Sequence, residues 1–215
     1  MTPGVPSLRD ELRASTAPLH RQAEAALAMM DASMSLETYR SRLLMLHSFY
    51  RDVEPTIVSH AGWAELGIDM RERRKLPLLA SDLAFVEERL RRGEADTARE
   101  ATGAPITTEL DSPIHWLASF PAALGAAYVL EGSTLGGAIL YRHLSRVLDL
   151  GEGPGARFFH CYGEETGTRW KQFVDALNRA PLDAEGMRCA VAGAVGTFGL
   201  LIGRARAATA ASPQC

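Results

Sequence analysis

The chain has 215 residues, 47% of them hydrophobic and 23% charged, with a formal net charge of -3. That length can bury one large core, and the slightly acidic balance excludes the basic face that nucleic-acid binding requires. Three cysteines far apart (Cys161, Cys189, Cys215), with no CxxC spacing, support neither a zinc site nor a disulfide framework, and a reducing, cytoplasmic compartment is expected. The opening MTPGVPSLRDEL lacks the charged-then-apolar order of a secretory signal. The apolar stretch 190–203 is too short and too glycine-rich to span a bilayer, so no membrane association is expected.

In chain order, residues 1–6 read as a loose Pro/Gly-bearing tail. Ser7, with Asp10 three positions on, is a helix-capping pattern. Helical spacing follows through Leu8, Leu12, Leu19, Ala23, Leu27 and Met30. Pro18 interrupts this tract and predicts the first turn of a second helix capped by Ser15 or Thr16. Ser35 opens another helix carrying Leu36, Tyr39, Leu43, Leu46, Tyr50 and Val53 on one side, which Pro55 weakens or ends. Residues 59–76, with Gly62, Gly67 and the basic run RERRK (71–75), read as loop and short turns. Residues 78–92 are helical, and 93–112 form a polar connection. A long helical tract runs from Pro113 to Leu150 with a kink expected at Pro121, and Gly151, Gly153, Pro154 and Gly155 break it. Residues 164–179 form a further helix, and Asp183 caps a last one ending near Ala208, before a flexible tail at 209–215. No stretch shows two-residue alternation. The expected architecture is all-α, a single domain over residues 7–208.

Two segments carry candidate chemistry. In YVLEGSTLGGAILY (128–141) the apolar positions are helical, yet Gly132, Gly136 and Gly137 lie inside, each costing about 1 kcal/mol relative to alanine. Glycines at these positions serve either close helix packing or a backbone that bends over a flat ligand. The second is His20, with Glu24 one helical turn later on the same face, able to orient the imidazole. Alone, such a histidine is equally a surface residue beside a salt-bridging neighbour. HExxH, GxSxG and GxxxxGK[ST] patterns are absent.

Together these segments resemble the heme oxygenase family, in its bacterial biliverdin-producing branch. LRASTAPLHRQAEAAL (12–27) is similar to the family's proximal helix, YVLEGSTLGGAIL to its distal helix, and CYGEETGTRWKQFVDAL (161–177), more weakly, to the helix that follows. The resemblance implies a helical bundle holding heme between a proximal and a kinked distal helix. It implies His20 as the iron ligand and Glu24 behind it, with Gly132, Ser133, Gly136 and Gly137 as the distal segment. Arg13 would meet one propionate, with Arg169 or Lys171 for the other. It implies cleavage of heme to biliverdin, carbon monoxide and ferrous iron, using O2 and electrons from a reduced ferredoxin or a flavoprotein reductase. The RERRK run, or Arg142 and Arg146, would greet that donor, and a bilin-binding photoreceptor is a candidate recipient. Two departures stand out. Ser133 occupies the position of an aspartate in animal-type members, and the propionate-contacting tyrosine of those members is one residue out of register with Tyr128. A non-catalytic heme carrier or sensor and a thiamin-degrading hydrolase are alternatives on the same scaffold. The distal glycines argue against the first, and the lack of a placed nucleophilic cysteine against the second.

Overall fold

The structure, a computed structural model, describes residues 7–94, 114–150 and 154–210. The expected tail at 1–6, most of the 93–112 connection, Pro113, Gly151, Gly153 and residues 211–215 lie outside them. Among the described residues every regular element is helical.

Helix α1 (Leu8–Leu27) starts as its cap predicts. The Asp10 N–H donates to Ser7 Oγ at 3.3 Å, and the Ser7 hydroxyl donates back to the Asp10 carboxylate at 2.7 Å. It runs straight through Pro18, so the predicted division into two helices is incorrect. Proline removes one backbone hydrogen bond at a cost of about 3 kcal/mol. Here Leu8, Leu12, Thr16 and Ala23 bury one continuous face on both sides of Pro18, and the Thr16 hydroxyl donates to the Leu12 carbonyl. Packing along the whole face outweighs the lost bond.

Helix α2 (Leu36–Ser59), capped by Ser35, likewise continues past Pro55, because Ile57 is fully buried and the Trp63 indole N–H donates to its carbonyl at 2.6 Å. Short α3 (Gly62–Glu65) and a 3₁₀ turn (Met70–Arg73) lead to α4 (Leu76–Glu94). The amides of Lys75 and Leu76 at its start donate to buried Glu54. Helix α5 (Phe120–Gly132) begins at a Ser119 cap with Pro121 in its first turn. Pro121 therefore starts a helix and does not kink one. The bend falls twelve residues later, in a 3₁₀ turn (Ser133–Gly136) between α5 and α6 (Gly137–Val147). Then come the short α7 (Arg157–His160), α8 (Thr166–Arg179) and α9 (Ala184–Ala210). Asp183 accepts from the Gly186 N–H, as expected of a cap. Helix α9 extends beyond Ala208, and the Thr209 hydroxyl accepts from Arg42.

Helix α9 is the central strut, packed on α1, α2 and α5. Its approach to α5 is backbone to backbone. A Cβ on Gly125 would stand 1.8 Å from the Ala190 carbonyl oxygen, and one on Gly193 2.1 Å from that of Ala122. Asp82 of α4, fully buried, accepts from the N–H groups of Gly155, Arg157 and Phe158 at 2.8–2.9 Å, tying α4 to α7.

Candidate functional site

Arg13, His20 and Leu27 lie seven residues apart on α1. A seven-residue step drifts only about 20° around a helix and rises about 10 Å. The three therefore form one stripe. Its two ends are located by their neighbours. Burial raises the Tyr128 phenol pKa, and the guanidiniums of Arg9 and of Arg13, one turn later, lie near enough to offset part of that rise. Leu27 shares a cavity with Leu130, Ser133 and Gly137. His20 lies midway along the stripe, between these two ends. Its side chain is 57% exposed, with Nδ1 3.5 Å from Glu24 and the ring edge-on to Phe198 at 6.1 Å between centroids. Among the described residues, Nε2 has no protein partner.

Opposite this stripe, the three distal glycines do different things. A Cβ on Gly132 would touch the Trp170 ring at 3.6 Å, an ordinary contact. One on Gly137 would stand 2.2 Å from the Phe159 carbonyl oxygen, so Gly137 serves close packing against α7. One on Gly136 would meet nothing within 4 Å. Close packing accounts for Gly137, while the space beside Gly136 is left open. Around Gly136 the surface is apolar and open: Leu135 is 49% exposed and Ile139, one turn on, 56%. Exposed apolar surface on the bend, with the uncommitted imidazole on the α1 stripe, makes the trench between α1 and the bend the candidate binding site. Ser133 is exposed, and its hydroxyl donates to the Leu130 carbonyl at 2.8 Å and faces Tyr50. Behind the bend lies a cavity of about 100 Å³. It is too small for a macrocycle, so a flat ligand would occupy the open trench between α1 and the bend.

Tyr128 stacks obliquely on Trp170 at 5.6 Å. Arg169 pairs with Glu165 at 2.9 Å and lies over the Tyr162 ring, and Lys171 pairs with Asp175 at 2.7 Å.

A buried ionic cluster at the bend was not anticipated from sequence. Glu131, 1% exposed, sits just before Gly132. It accepts from Arg73 and Lys75, each at 2.5 Å, and from the Tyr162 hydroxyl at 2.9 Å. Arg73 and Lys75 are 6% and 2% exposed, and Arg73 also donates to the Arg169 carbonyl at 3.3 Å. The RERRK run is therefore not the solvated docking patch it suggested, since half of its cations point inward. The available signal was a lone carboxylate among Val129 and Leu130 in an apolar helix. Such a group must be exposed or paired, and RERRK is the complementary charge. Among the described residues no three His, Cys, Asp or Glu side chains come together as a metal cage.

Comparison with known proteins identifies the family and the fold. The heme oxygenase family model matches residues 6–204. Heme oxygenase PigA of Pseudomonas aeruginosa is 28% identical over 181 residues, covering 83% of this chain and 81% of that protein. The heme oxygenase structure from Neisseria meningitidis superposes with a TM-score of 0.76 at 22% identity, covering 98% of this chain and 96% of that one. The one from Leptospira interrogans gives 0.71 at 21% identity, covering 94% and 100%. A Synechocystis heme oxygenase in complex with heme also gives 0.71, at 19% identity, covering 94% and 92%.

Proposed function

Because the chain belongs to the heme oxygenase family, we propose that the trench between α1 and the bend binds heme, with His20 as iron ligand. There heme is opened to biliverdin, carbon monoxide and ferrous iron, using O2 and electrons from a ferredoxin or flavoprotein reductase. The observation that supports this reading is the α1 stripe, which carries His20 between an end beside Tyr128 and an end that shares a cavity with the bend, together with the open space beside Gly136.

The residues fit the group. A neutral imidazole nitrogen is a suitable ligand for heme iron, and Nε2 of His20 is uncommitted. Glu24 is placed to hold the ring by Nδ1. The basic end of the stripe, Arg9 and Arg13 beside Tyr128, suits a propionate carboxylate. Leu135 and Ile139 supply apolar surface for the macrocycle. Arg169 and Lys171 already have carboxylate partners and are weaker candidates for the second propionate. When bound, heme supplies both the O2-binding iron and the ring that is cut.

The chain's own part is steric and electrostatic. Gly136 would leave room for a small gas on the distal side of a bound heme. With heme bound, the side chains flanking the bend would be the walls that restrict how a small gas sits over the ring. The Ser133 hydroxyl, now committed to the Leu130 carbonyl, and the backbone of Gly132 and Gly136 are the nearby groups able to hold a proton-carrying water. The exposed Arg142 and Arg146 on α6 remain as contacts for an acidic donor. A cytoplasmic setting, with the bilin passed to a photoreceptor or the iron released for use, fits this chemistry.

The test is reconstitution with heme followed by reductant under oxygen. Loss of the Soret band with growth of bilin absorbance is expected. Stable heme without bilin, across several electron donors, would instead indicate a carrier or sensor.

A further inference from the structure

We infer that the buried cluster of Glu131, Arg73, Lys75 and Tyr162 is the positioning device of the distal segment: it sets where the bend sits above the trench. This rests on the proposed function only for its catalytic consequence. Three observations support it. First, Glu131 is tied in two directions. Its carboxylate accepts from Arg73, Lys75 and Tyr162, while its carbonyl accepts from the Thr134 hydroxyl at 2.7 Å, inside the 3₁₀ turn. One residue thus anchors the bend through its side chain and shapes it through its backbone.

Second, the cluster joins four stretches of chain: Glu131 at the end of α5, the 70–75 run, Tyr162, and α8, whose Arg169 carbonyl accepts from Arg73. The next residue of α8, Trp170, packs on Gly132 and Tyr128. The cluster therefore reaches both ends of the trench. Third, beyond the close packing of Gly137 on α7 and the hydroxyl bonds of Ser133 and Thr134 back to α5, the outer side of the bend is open. A Cβ on Gly136 would meet nothing within 4 Å, and glycines add backbone freedom. Burying two cations on one carboxylate is seldom the most stabilising filling for such a space, and its better-attested use is to select one arrangement.

The test compares wild type with Glu131→Gln, the double variant Glu131→Gln/Lys75→Met, and Tyr162→Phe. The double variant keeps the wild-type net charge of the cluster, so it separates charge balance from geometry. In ligand-free protein, Glu131→Gln and the double variant are expected to speed amide exchange across 133–140 by about tenfold or more, with α9 unchanged. Tyr162→Phe, which removes one hydroxyl and leaves the ion pairs, gives a smaller change in the same peptides and keeps the test open if the charge variants do not fold. In loaded protein, heme affinity should stay within about threefold, while bilin formed per reductant consumed falls and the ring-opening isomers spread. Unchanged exchange in 133–140, or an equal rise in α9, would overturn the inference. So would full recovery in the double variant. The exchange arm needs no heme, so a wild-type chain that fails to turn heme over would defeat the proposed function and leave this comparison standing.

Discussion

At the scale of single residues, adjacent glycines with similar sequence context carry opposite burdens. Gly137→Ala drives a Cβ to 2.2 Å from the Phe159 carbonyl oxygen, a backbone atom that cannot swing aside. Overpacking of this kind costs about 1–3 kcal/mol, and for a chain of this size each kcal/mol lowers Tm by roughly 2–4 °C. Gly136→Leu meets open space in a helical backbone with φ -82, so folding is expected to be unaffected or slightly improved. Its side chain enters the trench, and heme binding should weaken by roughly tenfold or more, about 1.4 kcal/mol. Thermal unfolding and heme titration of the two variants check this. Equal Tm losses, or undiminished heme affinity in Gly136→Leu, would show that the trench lies elsewhere. The motif marked all three glycines but could not sort them, because the sorting depends on Phe159 and Trp170, which are distant in sequence.

At the scale of elements, local chemistry was readable where it is local. The helix starts at Ser7, Ser35 and Asp183 come from a side chain bonding an amide two or three residues on, and the structure has them. The prolines misled for the complementary reason. Nothing in the neighbourhood of Pro18 or Pro55 states that α1 and α2 bury a face on either side, and that packing decides. Pro121 falls in the first turn of α5 because Ser119, two residues before it, caps that helix. The buried carboxylates Glu131 and Asp82 find their partners across the fold, so only the charge complementarity of RERRK hinted at one of them. Helix α1 gives a direct check. Pro18 is exposed, so Pro18→Ala loses no buried contact and regains a backbone donor. It should stabilise the protein by about 1–3 kcal/mol in denaturant unfolding. A loss of stability would mean that the proline shapes α1 in a way the bundle requires.

At the scale of the whole molecule, the two most apolar tracts, residues 120–147 and 184–210, are long and apolar enough to cross a membrane by length and composition. In the fold α5 and α9 face each other across Gly125 and Gly193, and the core accounts for much of their apolar character. Global stability should also depend on pH through α2. Burial, and then Arg51, lower the His47 pKa below its ordinary 6.5. Between the two values the unfolded chain binds more protons than the folded one. Stability is therefore full above about pH 6.5 and declines as pH falls through the folded value. In His47→Gln the decline between pH 7 and 5 should be shallower, as read by urea unfolding at each pH. An unchanged slope would assign it to other groups.

The central claim is that His20 holds the substrate's iron across the trench from the bend. The most direct measurement is the absorption and resonance Raman spectrum of the heme complex in wild type and in His20→Ala, with and without added imidazole. The account predicts a histidine-ligated spectrum in wild type, its loss in the variant together with bilin formation, and recovery of both when imidazole enters the vacated position. A variant that keeps the histidine-ligated spectrum and its turnover would contradict it.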